Sequence, residues 1–141
     1  MNRTAGTLCL AVLLGLATPA LGYRVVDGDT VAMDDGSKCR LRGIDAPEAS
    51  QPLGPAATAR LRELLPAYPD VQRHGHDRYG RDLCRFLDPT GHEVGARLVL
   101  EGLAIVYRYQ TGRPADTALV PLEAAARAAR RGLWGLGCFD S

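Results

Sequence analysis

Apolar and polar residues alternate along several short stretches of the chain, which is the pattern of strands with one buried face. The first stretch predicts two strands, or one long bent strand, that change direction at Asp27-Gly28-Asp29. A turn at Asp34-Asp35-Gly36, where glycine supplies the positive φ of a hairpin, leads into the next strand. The predicted strands cover residues 23–33, 37–44, 68–74 and 82–87, with a short β segment at 103–107.

Helical spacing of apolar residues appears in three other stretches. A first helix is predicted from Pro55, which suits a first helical position, to Pro66, which stops it. Residues 93–101 are predicted to form a second helix ended by Gly102, and a third begins near Val120. Their apolar stripes contain Ala57, Leu61, Leu64, Leu65, Val94, Leu98, Leu122, Ala125, Ala126, Ala129 and Leu133. Five short strands with a helix after the third predict an α+β fold, a five-stranded OB-type barrel with three helices.

The first 22 residues have the pattern of a secretory signal peptide. Arg3 gives a positive start, residues 8–16 form a short apolar core, and Ala20-Leu21-Gly22 is a small-x-small cleavage site, so cleavage is expected after Gly22 or after Ala20. The apolar run is shorter than an ordinary membrane span. We therefore expect export to the periplasm or the exterior without stable membrane insertion, with an uncleaved anchor as the alternative. Residues 23–141 would then form one domain, expected to be a monomer.

Charge and cysteine content narrow the function classes. The chain has 17 Lys and Arg against 16 Asp and Glu, and the leader holds one arginine and no acid, so the mature domain is electrically balanced. A nucleic-acid site would therefore depend on local charges.

After the predicted leader the chain has three cysteines, Cys39, Cys84 and Cys138. An odd number allows one disulfide and a free thiol, or no disulfide. Cys39 and Cys84 lie in predicted strands and are the favoured pair, and the cysteine spacing resembles no zinc motif.

Acids and arginines interrupt the apolar positions of the first predicted strands. Asp29, Asp45 and Glu48 offer hard oxygen ligands of the kind that Ca²⁺ or Mg²⁺ prefers. Arg40 offers a planar fork suited to a phosphate. Carboxylates repel a phosphodiester unless a cation lies between them, so the combination indicates metal-assisted phosphate chemistry. Taken alone, Asp27-Gly28-Asp29 is typical of a simple turn.

Three motifs follow one another along the chain: Val-Asp-Gly-Asp-Thr-Val at residues 26–31, Arg-Leu-x-Gly-Ile-Asp-Ala-Pro-Glu at 40–48, and Asp-Arg-Tyr-Gly-Arg at 77–81. Their order and spacing closely resemble the thermonuclease family, the staphylococcal-nuclease-like calcium-dependent nucleases. The resemblance continues through residues 98–104 and 123–134 and so covers nearly all of the mature chain. It implies the OB-fold barrel of that family and a nuclease activity.

The resemblance implies one Ca²⁺ ion bound by the carboxylates of Asp29 and Asp45 and by the backbone carbonyl of Ala46. The family often has threonine at the position of Ala46, but alanine should be tolerated because the ligand is a main-chain oxygen. Glu48 would orient or deprotonate the attacking water. Asp27 would be an outer partner of the metal site.

The resemblance also implies that Arg40 and Arg81 bind the scissile phosphate and stabilise the charge of its transition state. Tyr79, Tyr107 and Tyr109 are candidates to contact the substrate, by hydrogen bonds to phosphate or by stacking on bases, and family position favours Tyr79 and either Tyr107 or Tyr109. Arg78 is a further candidate for a phosphate contact because it is next to Tyr79. A purely structural place in the core is the alternative for Tyr107. Stacking on aromatic side chains tolerates any base, so little base specificity is expected. Single-stranded or frayed DNA and RNA should be preferred.

These inferences predict an exported, Ca²⁺-dependent nuclease that hydrolyses phosphodiester bonds of DNA and RNA. By the resemblance it would cut the 5′ P–O bond and leave 3′-phosphates. A non-catalytic OB-fold module that binds nucleic acid is the main alternative, and a structural envelope protein held by an uncleaved leader is another. The enzyme is favoured because the implied catalytic set is complete: Asp29, Arg40, Asp45, Glu48 and Arg81.

Overall fold

Seven strands form two sheets in the computed structural model, which describes residues 22–137. The strands are β1 (Tyr23–Asp27), β2 (Thr30–Met33), β3 (Lys38–Leu41), β4 (Ile44–Asp45), β5 (Asp70–His76), β6 (Asp82–Leu87) and β7 (Ile105–Val106). Five of them form a mixed sheet in the order β1-β2-β3-β6-β5, in which only β3 and β6 pair in parallel. The short strands β4 and β7 pair antiparallel as a separate ribbon.

Three α-helices accompany the sheet: α1 (Gly54–Leu64), α2 (Val94–Leu100) and α3 (Val120–Ala128). The predicted α+β class, with a five-stranded sheet and three helices in an OB-type arrangement, is confirmed. Across residues 22–137, no helix combines the length and apolar character that crossing a membrane requires. The predicted leader up to residue 21 and Cys138 lie outside the described residues.

One predicted strand is two strands in the structure. The sequence predicts a continuous strand over residues 37–44, but the chain turns after Leu41 at Gly43, whose φ is +79°. Glycine adopts this left-handed conformation without the strain that a side chain would add. The turn lets β4 leave the large sheet and pair with β7, where Asp45 lies opposite Ile105. It therefore sets the position of Asp45.

The third helix is shorter than its apolar stripe predicts. It ends at Ala128, and Leu133 belongs to a following 3₁₀ turn, Gly132–Gly135. Ala125 and Ala129 are exposed, so their predicted burial is wrong, whereas Ala126 is fully buried. The chain leaves the helical conformation at Arg130, whose φ is +52°, and then packs against Gly102, whose carbonyl oxygen would lie 2.4 Å from a Cβ on Gly132.

The core lies between the mixed sheet and the helices and is aliphatic, with Phe86 as its largest fully buried side chain. A disulfide joins Cys39 of β3 to Cys84 of β6 inside this core, with their Cα atoms 5.5 Å apart and both residues fully buried. The bond crosses between the two strands that pair in parallel, which are 45 residues apart in sequence. The disulfide therefore stabilises the pairing of β3 with β6, two strands that no short turn connects.

Candidate active site

Asp29 lies where the turn between β1 and β2 meets the chain after β4. Its Oδ2 accepts a hydrogen bond from the backbone N–H of Ala46 at 2.8 Å, and its own N–H donates to Oδ1 of Asp27 at 3.0 Å. Thr30 Oγ1 lies 3.2 Å from Asp29 Oδ1. The carboxylate is buried in the structure. Asp27 thus shapes the turn that presents Asp29.

Gly28 explains why this turn reaches Ala46 so closely. A Cβ at residue 28 would lie 2.8 Å from the Cβ atoms of both Ala46 and Ala57. Real Cβ atoms essentially never approach so closely, and both neighbouring atoms are fixed to the backbone. The glycine in Asp27-Gly28-Asp29 is therefore required by close packing against the chain after β4 and against α1.

Arg40 joins the two candidate metal-binding carboxylates. Its Nη2 lies 3.2 Å from Oδ2 of Asp29 and 3.0 Å from Oδ1 of Asp45. Its Nη1 donates to the backbone carbonyls of Leu41 and Ile44, each at 2.9 Å. The guanidinium is therefore held across the turn between β3 and β4, and the two acids converge on a single nitrogen.

The negative charge of Asp29 is energetically unfavourable because the carboxylate is buried. Burial raises the pKa of the Asp29 carboxyl to about 6, against the lowering effects of the Arg40 guanidinium and the Ala46 amide. A buried carboxylate needs a compensating positive charge, and one shared guanidinium supplies only part of it. Additional positive charge between Asp29 and Asp45 would favour the ionised form.

The donor chemistry fits a hard divalent cation. Asp29 and Asp45 supply carboxylate oxygens, and Ala46 adds a backbone carbonyl, the oxygen ligands that Ca²⁺ and Mg²⁺ prefer. Within residues 22–137, no three His, Cys, Asp or Glu residues cluster closely enough to form a complete metal site. The protein would thus provide a small set of ligands, and water or substrate oxygens would complete the coordination.

Glu48 lies on the exposed turn that follows Pro47. Its backbone N–H donates to Oε1 of Gln51 at 2.7 Å, and its carbonyl accepts from the N–H of Gln51 at 2.8 Å. A Cβ at Gly54 would lie 2.0 Å from the Glu48 carbonyl oxygen, so the start of α1 packs against this turn. No side chain in the described part of the chain binds the Glu48 carboxylate, which remains available to accept a proton.

Sequence reasoning missed Gln51, although its spacing contained a signal. A side chain three residues onward that reaches back to a backbone N–H is the geometry of a capping box, and Glu48-x-x-Gln51 has that spacing. The amide of Gln51 fixes the backbone that carries Glu48.

Arg81 is held by its own loop. Its Nε donates to Oδ2 of Asp77 at 2.7 Å, while Oδ1 of Asp77 accepts from the N–H groups of Tyr79 at 2.8 Å and Arg81 at 3.0 Å. Desolvation acts to raise the pKa of Asp77, but these hydrogen bonds outweigh it and hold the pKa below its ordinary value. The carboxylate of Asp77 thus stays ionised and organises the loop.

Strand pairing relates the two arginines. Arg40 of β3 lies opposite Leu83 of β6, and Arg81 is two residues before Leu83. Arg81 immediately precedes β6, and β6 pairs with the strand that carries Arg40. Among the described contacts Arg81 binds Asp77 and does not touch Asp29, Asp45 or Glu48.

The four residues expected to contact substrate are exposed side chains in two groups. Arg78 and Arg81 lie over the Tyr79 ring, 4.9 and 5.5 Å from its centroid, and Tyr79 is 68% exposed. Tyr107 and Tyr109 are 43% and 53% exposed, with ring centroids 5.7 Å apart in an edge-to-face pair. The alternative that Tyr107 belongs to the core is wrong.

The chain is similar to known nucleases over most of its length. The family model described as Staphylococcal nuclease homologue matches residues 38–135. A micrococcal nuclease of Shigella flexneri is 34% identical over 142 residues, which cover 88% of this chain and 81% of that protein. An uncharacterized endonuclease of Escherichia coli is 39% identical over 116 residues, 79% of this chain and 73% of its own. Protein ParB of Escherichia coli is 34% identical over 149 residues, 95% of this chain and 84% of that protein.

Proposed function

We propose that this chain, which belongs to the family of staphylococcal nuclease homologues, is an exported, monomeric, Ca²⁺-dependent nuclease. It hydrolyses phosphodiester bonds in DNA and RNA and leaves 3′-phosphate ends. The observation that carries the proposal is the convergence of Asp29 and Asp45 on Nη2 of Arg40, at 3.2 and 3.0 Å. Two acids beside one guanidinium can hold a cation and a phosphate in contact.

The metal half of the site consists of Asp29, Asp45 and the carbonyl of Ala46. When bound there, Ca²⁺ would supply Lewis-acid charge against the phosphate oxygens. Asp29 and Asp45 orient that charge, and Asp27 holds the turn of Asp29 through its hydrogen bond to the Asp29 N–H. The raised pKa of Asp29 shows that burial disfavours its charge, which a nearby cation would stabilise.

The phosphate half consists of Arg40 and Arg81. Nη1 of Arg40 is fixed by two backbone carbonyls, so the guanidinium stays in place while Nη2 donates to an incoming phosphate oxygen. Arg81, which immediately precedes β6, would donate to a second equatorial oxygen. Phosphoryl transfer depends on positioning and charge neutralisation, which two planar guanidiniums provide.

Glu48 is the general base in this proposal. Water attacks phosphorus, Glu48 accepts the proton of that water, and the bond between phosphorus and the 5′ oxygen breaks. The departing 5′ oxygen takes a proton from solvent water, Glu48 releases its proton to solvent, and the phosphate remains on the 3′ oxygen of the other product. Gln51 supports the step by fixing the backbone of Glu48.

Exposed tyrosines favour single-stranded substrates. Tyr79 and the Tyr107–Tyr109 pair offer aromatic faces on which successive unpaired bases can stack, and Arg78 adds a charge for the backbone. Bases in an intact duplex are not available for such stacking. We therefore expect denatured DNA and RNA to be cleaved faster than duplex DNA.

Export rests on two observations. Residues 1–22 have the pattern of a cleavable signal peptide, and the Cys39–Cys84 disulfide is of a kind that persists in oxidising compartments. Mass spectrometry of the protein recovered outside the cytoplasm tests this directly. A mature N-terminus at Leu21 or Tyr23 is expected, and retention of the full leader would contradict export by cleavage.

End-group analysis of the products tests the reaction and separates it from a binding module. A 5′-labelled single-stranded oligonucleotide is incubated with the protein and Ca²⁺, and the products are compared before and after phosphatase treatment. Removal of a 3′-phosphate should slow the migration of every labelled product. Unchanged migration would contradict cleavage of the bond between phosphorus and the 5′ oxygen. Tight binding without products would favour the non-catalytic module.

A further inference from the structure

A cavity of about 350 Å³ lies beside the candidate metal ligands Asp45 and Ala46. Its other walls come from the turn after Glu48, from β7 and from the segment that follows α3. Most of the lining side chains are aliphatic or proline: Pro47, Pro52, Ile105, Leu133 and Leu136. Because Asp45 and Ala46 belong both to the cavity and to the candidate active site, a group held in the cavity lies next to the phosphate chemistry.

The cavity walls suit a flat, weakly polar ligand. Within residues 22–137, Asp45 is the one charged side chain in the lining, and its carboxylate would repel an anion. The volume lies at the lower end of the range for small-molecule sites, ~300–1,000 Å³. Leu136 is 45% exposed, so part of its apolar surface is available to a ligand. A nucleobase meets these conditions, whereas a phosphate does not.

Gln51 adds a polar group with a defined orientation to the rim. Its Oε1 accepts from the Glu48 N–H at 2.7 Å, which fixes the amide and leaves Nε2 as the donor on the other side. An amide donor at the edge of an apolar site pairs with a carbonyl oxygen on a base edge, such as those of pyrimidines and guanine. The same residue therefore connects Glu48 to whatever occupies the cavity.

We propose that the cavity is a nucleobase subsite for one of the two nucleotides that flank the scissile phosphate. This inference rests on the proposed nuclease function and adds to it a second surface for bases. No described tyrosine lines the cavity, so it is separate from the stacking surface of Tyr79, Tyr107 and Tyr109. A base seated beside Asp45 fixes the adjoining phosphate in the active site, so its binding energy contributes to positioning the reactive bond.

Single abasic substitutions test the subsite. Single-stranded oligonucleotides carry one tetrahydrofuran residue, and cleavage at the bonds on either side of it is compared with the intact sequence. Removing the base on one side should slow cleavage of the adjoining bond by about tenfold, the scale of one stacked base. Two variants alter the cavity in opposite ways: Leu136→Ser weakens the wall, and Leu136→Trp fills the space. Both should abolish the difference between abasic and intact sequence on that side.

Val26→Ser is the matched control, because Val26 is 39% exposed and lies outside the lining. It should retain the tenfold difference. Fluorescence anisotropy of the same oligonucleotides in chelator provides a readout without cleavage, and the same preference for an intact base is expected there. Equal binding and cleavage of abasic and intact sequences by the unmodified protein would overturn the subsite, as would a preference that survives both Leu136 variants. Base-dependent binding that both Leu136 variants abolish, without any cleavage by the unmodified protein, would overturn the nuclease function and leave the base site standing.

Discussion

At the scale of single residues, Arg40 combines a structural and a chemical task. Its Nη1 holds the turn between β3 and β4 by two backbone hydrogen bonds, and its Nη2 lies within ion-pair distance of both Asp29 and Asp45. Arg81, by contrast, contacts only residues of its own loop among those described: it pairs with the Asp77 carboxylate and lies over the Tyr79 ring. The two guanidiniums are therefore not equivalent, and substitutions should separate their roles.

Replacing each arginine by alanine should lower activity but affect stability differently. Loss of one charge-stabilising donor commonly lowers kcat by about 10²–10³-fold, which we expect for Arg81→Ala with little change in stability. Arg40→Ala should lose at least as much activity and also destabilise the fold by about 3 kcal/mol, because Asp29 keeps a buried charge without its partner. Steady-state kinetics and chemical denaturation measure the two effects.

Arg62→Ala is the control for the arginine variants, since Arg62 is exposed on α1 and away from the site. Its activity should stay within about twofold of the unmodified protein, by the small size of ordinary surface effects. Wild-type-like cleavage by Arg81→Ala would contradict the role given to that residue.

A methyl group at Gly28 should damage the site through packing alone. Gly28→Ala places a Cβ 2.8 Å from those of Ala46 and Ala57, and overpacking of this kind costs about 1–3 kcal/mol. The turn that presents Asp29 must then move, so activity should fall as well. Gly95→Ala is the matched control: its new Cβ meets Ile44 at an ordinary 3.5 Å within α2, and helical alanine is favoured over glycine. Thermal denaturation should show opposite shifts, and equal shifts would contradict the packing argument.

At the scale of elements, the site depends on the parallel pairing of β3 with β6. β3 carries Arg40, and Arg81 immediately precedes β6, so the register of these strands sets the relation between the two guanidiniums. Only three residue pairs make up this contact, and 45 residues separate Cys39 from Cys84. The disulfide between those cysteines stabilises this short pairing, whose two strands are far apart in sequence.

Removing this disulfide should cost a large share of the stability. Closing a loop of this length is worth about 4 kcal/mol in the chain-entropy description, a substantial fraction of the ~5–15 kcal/mol of a typical domain. Cys39→Ala/Cys84→Ala and the reduced native protein should therefore unfold at markedly lower denaturant concentration than the oxidised protein. Coincident unfolding curves with and without reductant would contradict this account of the strand contact.

At the scale of the whole molecule, the sequence predicts most of the elements and few of the long-range contacts. Alternation and helical spacing indicate the strands and helices because those patterns are local. The pairing of β3 with β6 and the break at Gly43 that lets β4 pair with β7 depend on where distant segments meet, and periodicity contains no information on that. The contact of Gln51 with Glu48 is local, and its signal is the spacing of two polar residues, which periodicity does not register. The stripe on α3 overestimates burial because small alanines satisfy a helical pattern whether or not they pack.

The residues of the candidate site can be predicted from the sequence, whereas the pKa of Asp29 cannot. Asp29, Arg40 and Asp45 are predicted as a set from sequence motifs, and the structure brings them together through one guanidinium. The raised pKa of Asp29 is not predictable from the sequence, because it depends on the burial of the carboxylate in the folded chain. The structure thus places two carboxylates beside one guanidinium, the arrangement on which the proposed binding of a cation and a phosphate rests.

Digestion of heat-denatured DNA by the mature protein tests the central claim most directly. The rate is measured in Ca²⁺, in Ca²⁺ with excess chelator, and in Ca²⁺ with Glu48→Gln, an exposed substitution of equal size that should leave the fold intact. We predict rapid digestion in Ca²⁺, none in chelator, and a rate about 10²–10⁴-fold lower for Glu48→Gln, the range for loss of a general base. Digestion that persists in chelator, or that Glu48→Gln performs at the unmodified rate, would contradict the metal-and-base site.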